Sequence, residues 1–286
     1  MKTLTDARVA IVGLGLMGGS LAAALRGECR SVVGVARRRE TVAVALERSL
    51  IDQGETDLET GVRDADIVVL ATPVRTILHL LDVLGPWLPH DCLVMDLGST
   101  KARITARMEA LPEHVQPLGA HPMCGREVSG IEAADPTLYR GRTFVLTPLP
   151  RTSPRALALG RALAEAVGAR PLTLGPERHD RLAAMISHLP YLLACALVGT
   201  AEATAETDPV VWEVATSGFR DTSRLSASDV TMMLDILLTN QDAVLEAVQA
   251  CEDQLHTLTE LIEAGDEDML RTILTARRNR RSSLFT

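Results

Sequence analysis

An apolar strand that runs into a glycine-rich turn and then a helix constrains this chain more than any other feature. Residues 8–13 form an apolar run of the kind buried at the centre of a parallel sheet. Gly13, Gly15 and Gly18 follow the pattern Gly-x-Gly-x-x-Gly, and a helix of small residues begins at Leu16. Such glycines allow a tight turn and bring a pyrophosphate close to the helix N-terminus. The pattern predicts a dinucleotide-binding unit; a glycine-rich turn without a ligand is the alternative.

Strand and helix patterns continue to alternate through the first half of the chain. The further predicted strands lie at 31–36, 67–71, 93–96, 117–120 and 143–146, and predicted helices separate most of them. This spacing predicts a doubly wound parallel sheet, the α/β Rossmann architecture. A proline-rich segment at 147–154 ends it, so we place a Rossmann domain at 1–150 and a second domain at 151–286.

Helical patterns dominate the second half of the chain. They cover residues 155–167, 176–204, 209–216, 229–264 and 267–280. The stretch 229–264 is apolar along one face and is too long for a small isolated domain. We therefore expect an all-helical domain that joins two copies of the chain in a homodimer.

Charge and cysteine use exclude several classes of protein. The formal net charge is −8, and both halves divided at Pro150 are net negative, which argues against a nucleic-acid partner. The five cysteines are scattered and the N-terminus has no apolar leader. The most apolar segment, 185–199, is interrupted by His188 and Pro190 and is too short to span a bilayer. We expect a cytoplasmic protein with no membrane partner and, because the histidines are isolated from carboxylate clusters, no metal.

The end of the second predicted strand indicates which dinucleotide binds. An NAD-preferring fold usually has an acidic residue there that bonds the ribose 2′-hydroxyl. This chain has Arg37, Arg38 and Arg39, and its first acid is Glu40. Three guanidinium groups favour a 2′-phosphate, so NADP is the expected cofactor; NAD, with a merely solvated basic helix start, is the alternative. The residues expected to contact the cofactor are Gly13, Gly15, Leu16, Met17, Gly18, Arg37, Arg38, Thr72, Pro73 and Ser99.

Polar residues cluster where the next predicted strands end, at the sheet edge where α/β proteins bind ligands. Ser99 and Lys101 follow the strand at 93–96, and Lys101 is one of only two lysines in a chain with 29 basic residues. A compact ammonium is therefore expected in the site, although Asp96 beside it is equally explained as a helix N-cap. His121 ends the following strand, directly before a proline, and is the candidate acid or base.

The helical half offers a second set of polar residues. His179 and His188 are nine residues apart, on opposite sides of an ideal helix, so only a kink such as one at Pro190 brings both to one site. Arg220 and Arg224 lie in a segment without helical periodicity, and such a loop suits a substrate that carries carboxylates. The alternative is a solvated connector.

Nearly the whole chain resembles the prephenate/arogenate dehydrogenase family of tyrosine biosynthesis. The motifs that carry the resemblance are Val9-Ala-Ile-Val-Gly-Leu-Gly, Asp96-Leu-Gly-Ser-Thr-Lys101, His121-Pro-Met-Cys-Gly125, His179-Asp180, Ser187-His-Leu-Pro190 and Ser217-Gly-Phe-Arg-Asp-Thr-Ser-Arg224. This combination is far more specific than the glycine motif alone. It implies a Rossmann domain followed by a helical dimerisation domain, and the oxidative decarboxylation of a cyclohexadienol to an aromatic ring.

The resemblance also implies roles for individual residues. His121 would accept the proton of the ring 4-hydroxyl as a hydride leaves the ring for the nicotinamide, and Ser99 would hold the same hydroxyl. Lys101 would join the network of hydroxyl and cofactor. Arg224 matches the arginine that binds a substrate carboxylate, and His188 lies in a motif of the substrate site.

Three features bear on the choice of substrate. Tyr191 follows Ser-His-Leu-Pro, where some prephenate-using members have a second histidine. Arg37 and Arg38 resemble the NADP-using type that prefers arogenate, and Glu127 would pair with the α-ammonium group that prephenate lacks. We expect arogenate as the substrate; prephenate, or both compounds, is the alternative.

Two rival functions remain. Other dehydrogenases and imine reductases of this architecture use a lysine on the first long helix of the second domain, and this half of the chain contains no lysine. A nucleotide-sensing module that has lost catalysis would bind NADP without turnover.

Overall fold

The computed structural model describes residues 2–126 and 128–284, and its centre is a single eight-stranded sheet. In chain order the strands are β1 (Arg8–Val12), β2 (Ser31–Val35), β3 (Gln53–Glu55), β4 (Ile67–Leu70), β5 (Leu93–Asp96), β6 (Gln116–Pro122), β7 (Thr143–Pro148) and β8 (Arg170–Thr173). Across the sheet their order is β3-β2-β1-β4-β5-β6-β7-β8, and every neighbouring pair is parallel except β6 with β7. The predicted Rossmann arrangement is confirmed, and its crevice lies at the carboxyl ends of β1 and β4.

Six helices cover the two faces of this sheet. They are α1 (Leu16–Leu25), α2 (Arg39–Glu47), α3 (Leu58–Val62), α4 (Val74–Val83), α5 (Ala102–Met108) and α6 (Pro154–Ala166). Aliphatic side chains on one face of β1, β4 and β5 pack against α1 and α6, and those on the other face pack against α4 and α5. Because both faces are covered, these central strands are almost wholly buried.

The sheet continues past the proline-rich segment at 147–154. Helix α6 packs on β6, where Gly160 permits close approach because a Cβ there would lie 2.3 Å from Leu118 Cδ2. Strand β8 then pairs in parallel with β7. The expected boundary between residues 150 and 151 is therefore too early, since α6 and β8 belong to the sheet layer and the helical region begins at Pro176.

The described residues after Thr173 contain helices and no strands. The helices are α7 (Pro176–Ala183), α8 (Leu189–Ala205), α9 (Ser217–Ser223), α10 (Val230–Thr239), α11 (Gln241–Ala264) and α12 (Glu267–Leu284). The stretch 229–264 is not one helix, because Asn240 has a non-helical backbone (φ −123°, ψ 33°) that separates α10 from α11. The segment with Arg220 is also not a loop: it forms α9 and a 3-10 turn, and Ser223 Oγ closes the last turn of α9 by donating to the Phe219 carbonyl.

Helices α7 and α8 form one continuous helix, joined by a π turn at Ala184–His188. A proline at position 190 lacks a backbone donor and crowds the carbonyl four residues earlier, and the wider π turn accommodates both effects. The helix spans Pro176–Ala205, 30 residues, which is long and apolar enough to cross a membrane by length and composition alone. The expectation that this segment is too short is therefore wrong, and in this structure the helix packs against α11.

Candidate active site

The glycine turn after β1 has the shape of a phosphate cradle. Gly13 has φ +105°, and a Cβ there would lie 2.6 Å from the carbonyl oxygen of Ala71. Gly18 is equally confined, because its Cβ would lie 1.8 Å from the carbonyl oxygen of Gly13. Around Gly15, by contrast, no heavy atom of the described residues other than Gly15 and its two chain neighbours lies within 4 Å of the Cβ position. The turn is tight on the protein side and open on the side where a pyrophosphate would bind.

Three further observations fit a dinucleotide at this turn. Helix α1 begins without a side-chain cap or an acidic residue, so its first backbone N–H groups are available to an anion. The buried Tyr139 hydroxyl donates to the Met17 carbonyl at 2.6 Å and anchors the turn. At the end of β4, Thr72 Oγ1 is buried without a hydrogen-bond partner in the part of the chain that the structure describes. A polar group of the cofactor would satisfy this hydroxyl.

The three arginines after β2 are exposed and unpaired. The side chains of Arg37, Arg38 and Arg39 make no hydrogen bond or ion pair with any described residue. Arg38 precedes α2 without capping it, and Arg39 is its first residue. Because cations are unfavourable at a helix N-terminus, three guanidinium groups there indicate an anionic ligand rather than a contribution to helix stability.

A relay of three side chains crosses from the sheet to the helical region. His121, at the end of β6, has Nδ1 2.8 Å from Nε2 of His179 on α7, and the two rings meet edge to face. His179 Nδ1 in turn lies 2.8 Å from Asp180 Oδ1. His179 and Asp180 are buried, whereas His121 is partly exposed. The relay therefore opens to the surroundings only at His121.

The direction of each hydrogen bond in the relay follows from Asp180. Its carboxylate only accepts, and it also accepts the backbone N–H groups of Lys101 (2.7 Å) and Ala102 (2.8 Å). His179 therefore carries its proton on Nδ1, and its neutral Nε2 accepts from His121 Nδ1–H. This leaves the Nε2 lone pair of His121 free. Burial, with the nearby His179 and Lys101, lowers the pKa of His121 well below 6.5, so the ring is neutral near pH 7 and competent as a base.

Lys101 lies beneath the site rather than in it. Its ammonium is completely buried, contacts the Asp96 carboxylate and donates to the Ala120 carbonyl at 2.7 Å. Asp96 also accepts from the backbone N–H groups of Gly98 and Ala120, so the pair ties the ends of β5 and β6 together. Burial raises the pKa of Asp96 and lowers that of Lys101, and their mutual attraction opposes both shifts. Lys101, expected to join the network of hydroxyl and cofactor, is thus enclosed by Asp96 and the Ala120 carbonyl, next to the end of the strand that carries His121.

Two aspartates of the helical region cap two helices of the sheet region. Asp180 accepts the first backbone N–H groups at α5, in place of the cap expected from the preceding strand. Asp235 on α10 accepts the backbone N–H of Arg75 in α4 at 3.0 Å, and its other oxygen contacts the Arg75 guanidinium. The hydroxyls of Thr100 and Thr239 add a contact at 2.9 Å. Because carboxylates stabilise helix N-termini, the docking of the two regions and the geometry of the site depend on the same groups.

His188 joins the same buried cluster from the last residue of the π turn, directly before α8. Nδ2 of Asn240 lies 3.2 Å from its Nδ1 and 2.8 Å from the Asp180 carbonyl oxygen. The kink predicted near Pro190 takes the form of the π turn. One additional residue changes the helical phase by about 100°, so the angle between His179 and His188 falls from about 180° to about 80°.

Sequence reasoning finds His121 and His188 but does not place His179, Asp180 or Asn240 in the site. The adjacent His179-Asp180 pair is recognisable in the sequence. An ideal helix places His179 and His188 on opposite sides, so the pair is not predicted to lie near His188. Asn240 lies 52 residues beyond His188, and its only signal is that it interrupts a long apolar pattern.

The remaining predicted residues lie outside this cluster. Ser99 is partly exposed on the loop between β5 and α5. Tyr191 is half-buried on α8, where burial and a hydrogen bond with Cys195 raise its pKa above the usual value. Glu127, expected to meet an ammonium group, lies outside the described residues. Among residues 2–126 and 128–284, no group of three or more His, Cys, Asp or Glu is arranged to hold a metal ion.

The two predicted substrate arginines are exposed on the outer part of the helical region. Arg220 on α9 pairs with the adjacent Asp221 at 3.1 Å, and Arg224 lies in the following 3-10 turn. Both elements pack against α8. The elements that carry these arginines therefore pack against the helix that follows His188, and Arg220 makes no hydrogen bond to the histidine cluster among the described residues.

The fold is a doubly wound sheet with a glycine cradle for a dinucleotide. At the carboxyl edge of this sheet, where the helical region covers it, lies a neutral histidine that can act as a base. These features define a two-domain dehydrogenase that uses a nicotinamide dinucleotide. Family models agree: residues 21–173 match "Prephenate dehydrogenase, nucleotide-binding domain", and residues 175–276 match "Prephenate dehydrogenase, dimerization domain". Prephenate dehydrogenase of Bacillus subtilis (strain 168) is 32% identical over 94% of this chain and 74% of its own length.

Two solved structures are similar over their whole length. Prephenate dehydrogenase from Aquifex aeolicus, in complex with hydroxyphenyl propionate and NAD+, superposes with a TM-score of 0.92 at 34% identity over 99% of this chain and 100% of that one. Synechocystis arogenate dehydrogenase superposes with a TM-score of 0.86 at 33% identity over 97% of this chain and 99% of that one.

This chain belongs to the prephenate dehydrogenase family, which confirms the resemblance of its motifs. It is an NAD(P)-dependent oxidoreductase that decarboxylates its substrate, with prephenate/arogenate dehydrogenase activity in tyrosine biosynthesis.

Proposed function

We propose that this chain converts arogenate to tyrosine by oxidative decarboxylation, with NADP+ as the hydride acceptor. The observation that supports the chemistry is the relay of His121, His179 and Asp180, which presents one neutral, basic nitrogen at the carboxyl edge of the sheet. Family membership defines the reaction, whereas the preferences for arogenate and for NADP are our proposal.

His121 acts first as a base. Its Nε2 accepts the proton of the ring 4-hydroxyl while a hydride leaves C4 of the same ring. When bound, the nicotinamide ring accepts this hydride. The His121 imidazolium that forms is stabilised by its hydrogen bond to His179. The Asp180 carboxylate in turn accepts the hydrogen bond from His179 Nδ1–H.

Loss of CO2 needs no further proton acceptor. The electron pair of the breaking carbon–carboxylate bond enters the ring, which becomes aromatic, and the ring oxygen takes its proton back from His121. The relay therefore ends the cycle in its starting protonation state.

Other side chains bind and orient the substrate. We assign Ser99 to the ring hydroxyl because it lies partly exposed at the end of β5, next to the strand that carries His121. Arg224, with Arg220, is assigned to the substrate carboxylates, since guanidinium groups bind carboxylates with two parallel hydrogen bonds. His188 would add a hydrogen bond from the helical side of the site.

The preference for NADP is supported by the three unpaired arginines after β2. A 2′-phosphate would neutralise part of their charge. The 2′-hydroxyl of NAD usually binds an acidic residue at this place, and positions 37, 38 and 39 are all arginine. The preference for arogenate is supported by Tyr191, which stands where a second histidine would bind prephenate, and by the carboxylate of Glu127.

Initial rates of cofactor reduction with arogenate or prephenate, each with NADP+ or NAD+, test both preferences. We expect the highest kcat/KM for arogenate with NADP+. Arg38→Ala should raise KM for NADP+ by about tenfold and leave KM for NAD+ unchanged, because it removes a charge-assisted contact to the 2′-phosphate. Arg63→Ala, an exposed arginine at the end of α3, is the matched control. Higher kcat/KM with prephenate, or with NAD+, would contradict the corresponding preference.

We also propose that the enzyme is a homodimer formed through the helical region, in agreement with the dimerization-domain match. Its five free cysteines support a location in the cytoplasm, where thiols stay reduced.

A further inference from the structure

Asn240 separates α10 from α11, and its side chain turns into the buried cluster. Nδ2 donates to the Asp180 carbonyl oxygen at 2.8 Å and lies 3.2 Å from Nδ1 of His188. Asn240, Asp180 and His188 are 6%, 3% and 1% exposed. No step of the proposed reaction uses this amide, although it contacts both His188 and the backbone of Asp180, the residue next to His179.

The polarity of the contact follows from the Asp180 carbonyl. A backbone carbonyl only accepts, so Asn240 must present its amide nitrogen, and not its oxygen, to that group. The same nitrogen faces His188, so His188 Nδ1 is the acceptor and carries no proton. A neutral His188 therefore holds its proton on Nε2, which has no hydrogen-bond partner among the described residues.

The surroundings keep His188 neutral. Burial lowers its pKa to about 4; the charge of Asp180 opposes this shift and His179 adds to it. His121 is a further titratable neighbour, and its own lowered pKa includes a contribution from His188. The two site histidines thus have opposite polarity, since His121 Nε2 is an acceptor and His188 Nε2 is a donor.

We propose that Asn240 is a positioning residue that holds His188 as the neutral Nε2–H tautomer, so that the site offers a hydrogen-bond donor for an anionic substrate oxygen beside the basic nitrogen of His121. An Nδ1–H tautomer would place a lone pair on Nε2 and repel such an oxygen. The proposal rests on the proposed function, because it needs a carboxylate-bearing cyclohexadienol as the substrate.

The tautomer is measured directly by ¹⁵N chemical shifts of the histidine rings in the full-length protein. His188→Gln identifies the His188 signals. We expect a protonated Nε2 and an unprotonated Nδ1 in the wild type from neutral pH down to about pH 5, one unit above its lowered pKa. A proton on Nδ1, or an even mixture, would overturn the proposal. Since no substrate is needed, this result is independent of whether arogenate and NADP are the true reactants.

Asn240→Asp replaces the donor with an acceptor of the same size. Asn279→Asp makes the same substitution on the exposed face of α12 and is the matched control. We expect Asn240→Asp to place a proton on His188 Nδ1, to shift the acid limb of kcat/KM to higher pH, and to raise KM for the cyclohexadienol by about tenfold or more. Asn279→Asp should keep wild-type values. An unchanged KM and pH profile in folded Asn240→Asp would overturn the proposal; if that variant does not fold, the wild-type ring measurement still decides it.

Discussion

The sheet region, residues 2–173, and the helical region, residues 176–284, bury their apolar side chains to very different extents. In the described part of the sheet region, the exposed large apolar side chains are Leu46, Val128 and Leu172. The helical region has only a small internal cluster, formed by α8, α11 and the π turn. Its exposed large apolar side chains are Leu182, Met185, Ile186, Leu193, Val210, Trp212, Val214, Val230, Met232, Leu234, Leu238, Leu245, Leu255, Ile262, Met269, Leu274 and Leu284.

This difference indicates that the two regions have different structural roles. The sheet region has a closed core and needs no partner to bury it. The helical region directs polar groups such as Asp180 and Asp235 towards the sheet and exposes its apolar side chains. Such an exposed apolar surface is typical of an extensive subunit interface. The proposed active site depends on both, because the proposed base His121 is in the sheet region and its partners His179 and Asp180 are in the helical region.

The largest expected effect comes from removing the proposed base, His121, on the sheet side. In His121→Asn the amide nitrogen can still donate to His179, but the basic nitrogen is lost. We expect kcat to fall by about 10²–10⁴-fold, the usual contribution of a general base, with little change in KM for NADP+ or in melting temperature. Steady-state kinetics and thermal unfolding measure these quantities. A kcat within tenfold of the wild type would show that another group accepts the proton.

A matched pair of aspartates sharpens the comparison on the helical side. Asp180→Asn and Asp235→Asn each remove a carboxylate charge from one helix N-terminus between the regions, and each should lower the free energy of unfolding by about 1 kcal/mol. Only Asp180 also fixes the proton of His179, so we expect only Asp180→Asn to lower kcat, by about 10²-fold.

Urea unfolding and kinetics of both variants separate the two roles. Equal losses of kcat in Asp180→Asn and Asp235→Asn would mean that docking, and not the relay, limits the reaction.

The apolar surface of the helical region is tested by one matched charge substitution in each region. Leu255 on α11 and Leu46 on α2 are 54% and 44% exposed. If the proposed dimer forms through the helical region, Leu255→Glu should weaken it by about tenfold or more, because the charge would be buried in the interface, whereas Leu46→Glu should leave the dimer intact. Sedimentation at several concentrations reports the dissociation constant. A dimer lost in Leu46→Glu and kept in Leu255→Glu would place the interface on the sheet region.

The smallest expected effect is a loss of stability at mildly acidic pH. The folded-state pKa of His188 is about 4, below the value of 6.5 expected in the unfolded chain. Below about pH 6.5 the unfolded chain takes up a proton that the folded chain does not, so the free energy of unfolding falls as the pH is lowered towards 4. Melting temperatures between pH 7 and pH 5 should decline less steeply in His188→Gln. An equal decline would show that His188 does not titrate as described.

The sheet region is predictable because its signals are local. The glycine turn and the strands are encoded by a few consecutive residues, and a histidine before a proline at a strand end is sufficient to predict His121 as the candidate base. The boundary after β7 is missed because a proline-rich segment resembles a linker, although α6 and β8 return to the same sheet.

The helical side of the site is less predictable because it is assembled from contacts between distant residues. Lysine is rare in this chain, so Lys101 is predicted to be a reactive group. The structure instead buries its ammonium against Asp96 and the Ala120 carbonyl. His179 and His188 meet because of a π turn that no ideal-helix pattern includes. Asn240 reaches them only through the fold.

A crystal structure of the protein with NADP+ and 3-(4-hydroxyphenyl)propionate tests most directly that His121 is the base held by the relay. The phenolic oxygen should lie about 2.6–3.2 Å from His121 Nε2, with His179 and Asp180 in their present contacts. A phenolic oxygen bound away from His121, or a His121 ring turned so that Nε2 faces His179, would contradict the account.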